Sequence, residues 1–305
     1  MKKLRLIFAE LISEIGDKDK DLVVMVGDIS HGILQPFAKK NPTRYYNIGI
    51  CEPTIVNMAS GLSHVGMTTV VHTIAPFLIE RSYEQIKLDF GYQKRSINLI
   101  SVGGSFDYAQ LGCSHHCYSD VAILNQFKDA NIFLPTNENE LRTLFKSQYK
   151  KKNINYFRLS EQSNNFPKKN KIIPGKANII KRGSDLTIVF AGSYYDIIKE
   201  AINKLAEKNI SVELIHIHTF EPFDYEAVER SIKKTKNILS VEELYFKGGL
   251  LSKCLELLAQ IDGTKNDYIA VKDFIRDYGT HEQLCKKVGL TTDTIYNKAL
   301  KLFKN

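Results

Sequence analysis

A chain of 305 residues with 43% hydrophobic and 10% aromatic residues has the size and composition of a globular protein with two cores, which excludes a disordered chain. Its formal net charge of +8 is concentrated in runs such as KSQYKKKN (146–153) and PKKNK (167–171), which read as a solvated face rather than a nucleic-acid surface. Five scattered cysteines (Cys51, Cys113, Cys117, Cys254, Cys285) without an export signal predict free thiols in a reducing cytoplasm, and no apolar run approaches the ~20 residues of a membrane span.

The opening MKKLRLIFAELISEIGDKDK starts like a signal peptide, but Glu10, Glu14 and Asp17 interrupt it. Leu4, Ile7, Phe8, Leu11, Ile12 and Ile15 keep helical spacing, so the segment predicts an amphipathic helix. Short apolar runs then alternate with helical stretches. The expected strands are 21–26, 44–48, 68–73, 96–102, 131–135 and 155–160, an alternation that implies a parallel sheet with crossover helices. Residues 160–176 show no periodicity and carry Pro167, Pro174 and Gly175, as a connection would. A second alternation follows, with strands expected at 185–192, 211–220 and 236–243 and helices around 281–303. The fold class is therefore α/β, as two α/β domains with mainly parallel sheets: 1–165, a linker at 166–184, and a smaller domain at 185–305. Neither GxGxxG nor GxxxxGK[ST] occurs, which leaves dinucleotide and P-loop chemistry unsupported.

Within YYNIGICEPTIVNMASGL (45–62), Glu52 falls at the opening of a helix whose first turn holds Pro53, directly after an apolar strand. Ile55, Met58, Ala59 and Leu62 give that helix one apolar face. A lone carboxylate at this junction stands at the carboxyl end of a parallel strand, where ligands collect. Taken locally it reads first as a helix cap. A second constellation, LGCSHHCYSD (111–120), holds zinc-binding atoms at Cys113, His115, His116 and Cys117, but structural zinc sites draw on a second ligand pair farther along and none is evident, so no metal is assigned to this chain.

The run 47–86 resembles the pyrimidine-binding domain of the transketolase family of thiamine diphosphate enzymes. LGCSHHCYSDVAILNQF (111–127) is similar to that family's histidine loop, and VEELYFKGGL (241–250) and DYGTHEQLCKKVGL (277–290) are similar to parts of its carboxyl-terminal domain. The half marked by Gly-Asp-Gly and a downstream asparagine for magnesium is missing, so the chain resembles the second subunit of a split transketolase. The resemblance implies a pyrimidine-type domain followed by a transketolase C-terminal-like domain, and a transfer of a two-carbon ketol unit between sugar or sugar-phosphate substrates. It also implies thiamine diphosphate as cofactor, with Mg2+ held by a separate diphosphate-binding subunit, two copies of each chain forming a heterotetramer.

For the site, the resemblance implies that Glu52 contacts ring nitrogen N1′ of the aminopyrimidine and favours its imino form. A carboxyl kept protonated for that task demands strong desolvation, so a dry apolar wall around Glu52 is expected. Phe77 and Tyr83 correspond to aromatics around the pyrimidine, with Phe77 stacking and Tyr83 equally readable as core packing. Glu80 stands where transketolases often carry a second phenylalanine. His115 corresponds to the family imidazole facing the substrate, with His116 beside it or holding the loop. Arg158 matches an arginine that grips an anionic substrate, or is a surface residue, and Asp28, Ser30 and His31 line the same cavity. Leu111 stands where an aspartate often recognises a sugar hydroxyl. Rival readings are the beta subunit of a two-oxo acid dehydrogenase decarboxylase, a deoxyxylulose-phosphate synthase half, and an inactive transketolase-like scaffold. The first normally carries Ser-Pro-Glu where this chain has Cys117-Tyr118-Ser119-Asp120.

Overall fold

The structure, a computed structural model, describes residues 2–167 and 171–304, so most of the PKKNK run lies outside the described residues. Its strands are β1 (Leu22–Val26), β2 (Tyr45–Asn47), β3 (Thr68–Ile74), β4 (Ile97–Val102), β5 (Ala130–Phe133), β6 (Ile154–Leu159), β7 (Asn178–Lys181), β8 (Leu186–Phe190), β9 (Val212–His216), β10 (Thr219–Glu221), β11 (Asn237–Tyr245) and β12 (Lys265–Val271). They form two sheets, ordered β10-β5-β6-β4-β3-β1-β2 and β12-β11-β8-β9-β7. Among the described residues every pairing of these strands is parallel except β10 with β5 and β7 with β9. Two α/β units with mainly parallel sheets are thus what the alternation predicts. None of the described helices is long and apolar enough to cross a membrane.

Sheets covered on both faces need strands that are mostly apolar, and β1 (LVVMV), β4 (INLISV) and β6 (INYFRL) are buried at every position, their few polar side chains included. The first helix, Leu4–Gly16, buries all six residues that its spacing singles out. Helix Glu138–Gln148 starts on Asn137, whose side chain accepts from the Glu140 amide at 3.0 Å and so satisfies one unpaired donor of the first turn.

Two segments depart from expectation. Residues 211–220 form two strands in different sheets rather than one: β9 stays in the second sheet, while β10 crosses over and pairs antiparallel with β5, Thr219 opposite Phe133. The reason is apolar: Phe220 is fully buried in a cluster that runs from Ile132 and Tyr156 of the first unit to Val228 and Leu250 of the second. The second departure is β7, which lies inside the segment read as a connection and completes the second sheet beside β9.

Candidate active site

Four consecutive strands of the first sheet, β4-β3-β1-β2, run parallel, so the segments after Val102, Ile74, Val26 and Asn47 all leave the same edge. After β2 comes helix Glu52–His64; after β3 the turn Pro76–Glu80; after β4 the loop holding His115; after β1 the turn at Asp28. Topology alone therefore brings the singled-out side chains to one rim, the carboxyl edge where α/β sheets bind ligands.

Glu52 begins its helix with Pro53 in the first turn, and its side chain is only 1% exposed. It does not cap the helix. Its Oε2 accepts a hydrogen bond from Nη1 of Arg81 at 2.7 Å. The helix that carries Glu52 is buried at Ile55, Val56 and Ala59, while the partner of the carboxyl itself is cationic rather than apolar. Met58, expected on the apolar face, is 40% exposed: helical spacing sets which residues share a face, not whether this chain covers it.

Arg81 follows a π-helical turn, Pro76–Glu80, closed by its own amide donating to the Pro76 carbonyl at 3.1 Å. Such turns cluster at functional sites. The guanidinium carbon lies 4.2 Å from the centroid of the Phe77 ring, a cation–π contact, and Phe77 in turn meets the His115 ring edge-on at 5.1 Å. Direct contacts thus join Glu52, Arg81, Phe77 and His115 in one continuous series. Tyr83 stands to the side, its ring 5.8 Å from Phe127 and its hydroxyl donating to Gln126 at 3.3 Å.

The histidine loop is held from below and from the second domain. Ser105 and Cys117 exchange backbone hydrogen bonds. Gly112 adopts a positive φ of 76°, a conformation that calls for glycine, with the exposed Tyr278 ring of the second domain lying over it. His115 is half-buried, with Ser114 Oγ 3.0 Å from its Nδ1. His116 is buried beside Phe106 and Tyr118, with neither ring nitrogen in hydrogen-bond alignment. Burial pushes its imidazole below the usual histidine range, against an opposing pull from the Ala109 carbonyl. Among the described residues no group of three histidine, cysteine, aspartate or glutamate side chains is arranged to hold a metal ion. Glu80 accepts from the Ser119 hydroxyl and lies 3.6 Å from Cys117 Sγ. Desolvation pushes its carboxyl upward, the Ser119 bond opposes this, and Asp120 adds to the rise. It thereby ties the Phe77 turn to the histidine loop.

At the β1 turn, Asp28 and Ser30 both take left-handed backbone conformations, φ 68° and 61°. Asn47 fixes this turn: its Oδ1 accepts from the Asp28 amide at 3.1 Å and its Nδ2 donates to Asp28 Oδ1 at 3.2 Å. Ser30 donates to Nε2 of His72 at 2.8 Å, because Nδ1 of that ring donates to the Ile100 carbonyl. His72 is fully buried, which lowers its pKa to about 4 and keeps it neutral. His31 packs toward Tyr45 and Gln35, 3.2 and 3.1 Å away.

Arg158 is not offered to a ligand. Its side chain is 4% exposed, Nε donates to Asp120 at 2.8 Å, Nη1 to Glu243, and Nη2 to Ser105 Oγ at 2.6 Å and to the Cys117 carbonyl. Tyr156 shares Asp120, and Tyr194 donates to the other oxygen of Glu243 at 2.7 Å. This network bolts β6, the histidine loop and the second domain together. The neighbouring Glu242 accepts from the amides of Leu250 and Leu251, and burial lifts its pKa to about 8.

Residues 1–167 match the family "Transketolase, pyrimidine binding domain", and residues 175–295 match "Transketolase, C-terminal domain". The chain belongs to the transketolase family. It is 32% identical to a subunit of the apulose-4-phosphate transketolase of Actinobacillus succinogenes over 92% of each chain, and 30% identical to the corresponding subunit from Phocaeicola vulgatus over 97% of this chain and 96% of the relative. Among solved structures it is similar to a split gene transketolase described as an inactive beta4 tetramer, with a TM-score of 0.90, 25% identity, and coverage of 100% of this chain and 99% of that one. The two matched regions coincide with the two sheets, apart from β10. Of the site, Arg81, Asn47 and His72 escaped sequence reading. Arg81 lies inside the 47–86 run, but its ion pair reaches back 29 residues and no local pattern marks it.

Proposed function

We propose that this chain is one subunit of a thiamine diphosphate-dependent transketolase, moving a two-carbon ketol unit between sugar or sugar-phosphate substrates, and that Glu52 is its contribution to activating the aminopyrimidine. The observation that carries this reading is a carboxyl buried to 1% at a helix start, joined by direct contacts to an aromatic face and an imidazole on the ligand-binding edge of the sheet. The site fits one end of the cofactor. Glu52 offers a shielded carboxyl for a ring nitrogen, and Phe77, half-buried, a flat surface for a heterocycle. The diphosphate end and its Mg2+ belong, on this reading, to a separate diphosphate-binding subunit, and the complex holds two copies of each chain.

Thiamine diphosphate supplies, when bound, the carbanion chemistry that breaks and remakes a carbon–carbon bond beside a ketol. Glu52 holds a proton at the heterocycle's N1′. Phe77 orients the ring by contact. His115, half-buried at the rim, exchanges protons with substrate hydroxyls, contributions of this kind being worth roughly 10²–10⁴-fold in rate. His116, buried and without ring hydrogen bonds, positions the loop. Asp28, Ser30 and His31, at the turn after β1 on the same rim, contact the substrate's sugar. With Arg158 committed to the interior, a substrate anion must find its cation elsewhere in the complex.

Co-expression with a chain bearing the Gly-Asp-Gly segment tests this reading. The expected result is co-purification and a thiamine diphosphate-dependent ketol transfer in a screen of donor and acceptor sugars that neither chain shows alone. The relative solved as an inactive beta4 tetramer supports that dependence. An assembled complex in which Glu52→Gln turns over at the full rate would overturn it.

A further inference from the structure

We infer that Arg81 occupies the heterocycle's seat in the cofactor-free protein, so that the cofactor's ring has to displace a guanidinium before it reaches Glu52. The inference rests on the function proposed for Glu52, but its evidence is separate. Arg81 holds both groups that the heterocycle would use: Nη1 donates to Glu52 Oε2 at 2.7 Å, and the guanidinium plane covers Phe77 at 4.2 Å from the ring centroid. A flat ring stacked on that face of Phe77 would need the space the guanidinium fills.

Of the two partners, Arg81 is the one built to move. Glu52 is anchored in a helix start against buried Ile55 and Val56 and is 1% exposed. Arg81 is 45% exposed and follows the π-helical turn on a long, flexible stem. Swinging outward carries the guanidinium from a half-exposed site into water, with no buried charge created on the arginine itself. Arg81 is therefore a positioning residue: it keeps Glu52 paired and Phe77 covered until a ring of matching shape replaces it. A binding site that is open for only a fraction of the time weakens apparent affinity by that fraction, so a seat open about one tenth of the time raises the dissociation constant roughly tenfold.

The test uses the chain assembled with its diphosphate-binding partner, titrated calorimetrically with thiamine diphosphate. Arg81→Met, which keeps the stem and removes the charge, is expected to bind the cofactor about tenfold tighter, and Arg81→Lys, which cannot cover the ring as a plane, to fall between it and the parent. Unchanged or weaker binding in both variants overturns the inference. If Arg81→Met does not fold, Arg81→Lys decides. A crystal structure of the loaded complex reads the same point directly: the guanidinium should lie away from Glu52, and an Arg81 still paired with Glu52 beside a bound ring sinks it. Full turnover in Glu52→Gln would defeat the function assigned to Glu52; an inactive Glu52→Gln together with unaltered cofactor affinity in Arg81→Met would defeat the seat-holding role alone.

Discussion

Arg81 and Arg158 both pair with buried carboxylates, and their surroundings make them different objects. Arg158 is 4% exposed and gives hydrogen bonds to Asp120, Glu243, Ser105 and Cys117. Arg81 is 45% exposed and donates to one oxygen of Glu52. A guanidinium whose three nitrogens are all engaged in a dry interior fixes geometry, because removing either partner strands a buried charge. One that is half in water and singly bonded can leave once another group takes its place on the buried carboxyl. Residue type is the same in both; burial and the number of partners decide which is bolt and which is latch.

The largest expected effect lies on the latch side. In the assembled complex, Glu52→Gln should lower turnover by roughly 10²–10⁴-fold with little change in melting temperature, since an amide replaces a carboxyl of the same shape; steady-state kinetics beside calorimetry separates the two readouts. On the bolt side, Arg158→Met should cost about 3–5 kcal/mol of unfolding free energy by leaving Asp120 and Glu243 buried and uncompensated, measured by denaturant melts of the single chain. If Arg158→Met proved as mild as the loss of an exposed pair, bolt and latch would be the same kind of object after all.

Acid should act on the interior. His72 and His218 are buried with pKa values lowered to about 4 by desolvation, while the unfolded chain binds those protons near 6.5. Both therefore contribute stability that is present above about 6.5 and declines as pH falls toward 4. Between pH 6.5 and 5 each should lose about 1.5 kcal/mol, and His218→Gln should flatten its share of that slope in thermal melts across pH. Arg81→Met on the isolated chain should cost less than Arg158→Met in denaturant melts, about 1–3 kcal/mol, because one hydrogen bond rather than four is lost and water can reach the place the guanidinium leaves, while Glu52, 1% exposed, loses a partner.

The fold was largely legible because parallel strands covered on both faces read as near-continuous apolar runs, and β1, β4 and β6 are buried throughout. The helix start at Glu52 was legible locally, as a carboxylate followed by proline at the head of a helix with one apolar face, although the strand before it, β2, is a half-exposed edge strand rather than a buried one. What escaped reading depends on direction and distance. Arg158 alternates along a strand, and whether it faces a substrate or an interior acid rests on Asp120 and Glu243, 38 and 85 residues away. Met58 has the right spacing for a core but protrudes. The run 211–220 is strand-like along its length, so nothing local announces that its last residues change sheets after Ile217.

That change of sheets has a practical outcome. Because Thr219–Glu221 forms the outermost strand beside β5, a truncation that removes everything beyond residue 175 would not yield a trimmed domain but a bare edge with unsatisfied amides and carbonyls. Such an edge is a template for adding strands from other molecules, so the excised half should precipitate or form higher-order species, and engineering of this protein has to carry both lobes together.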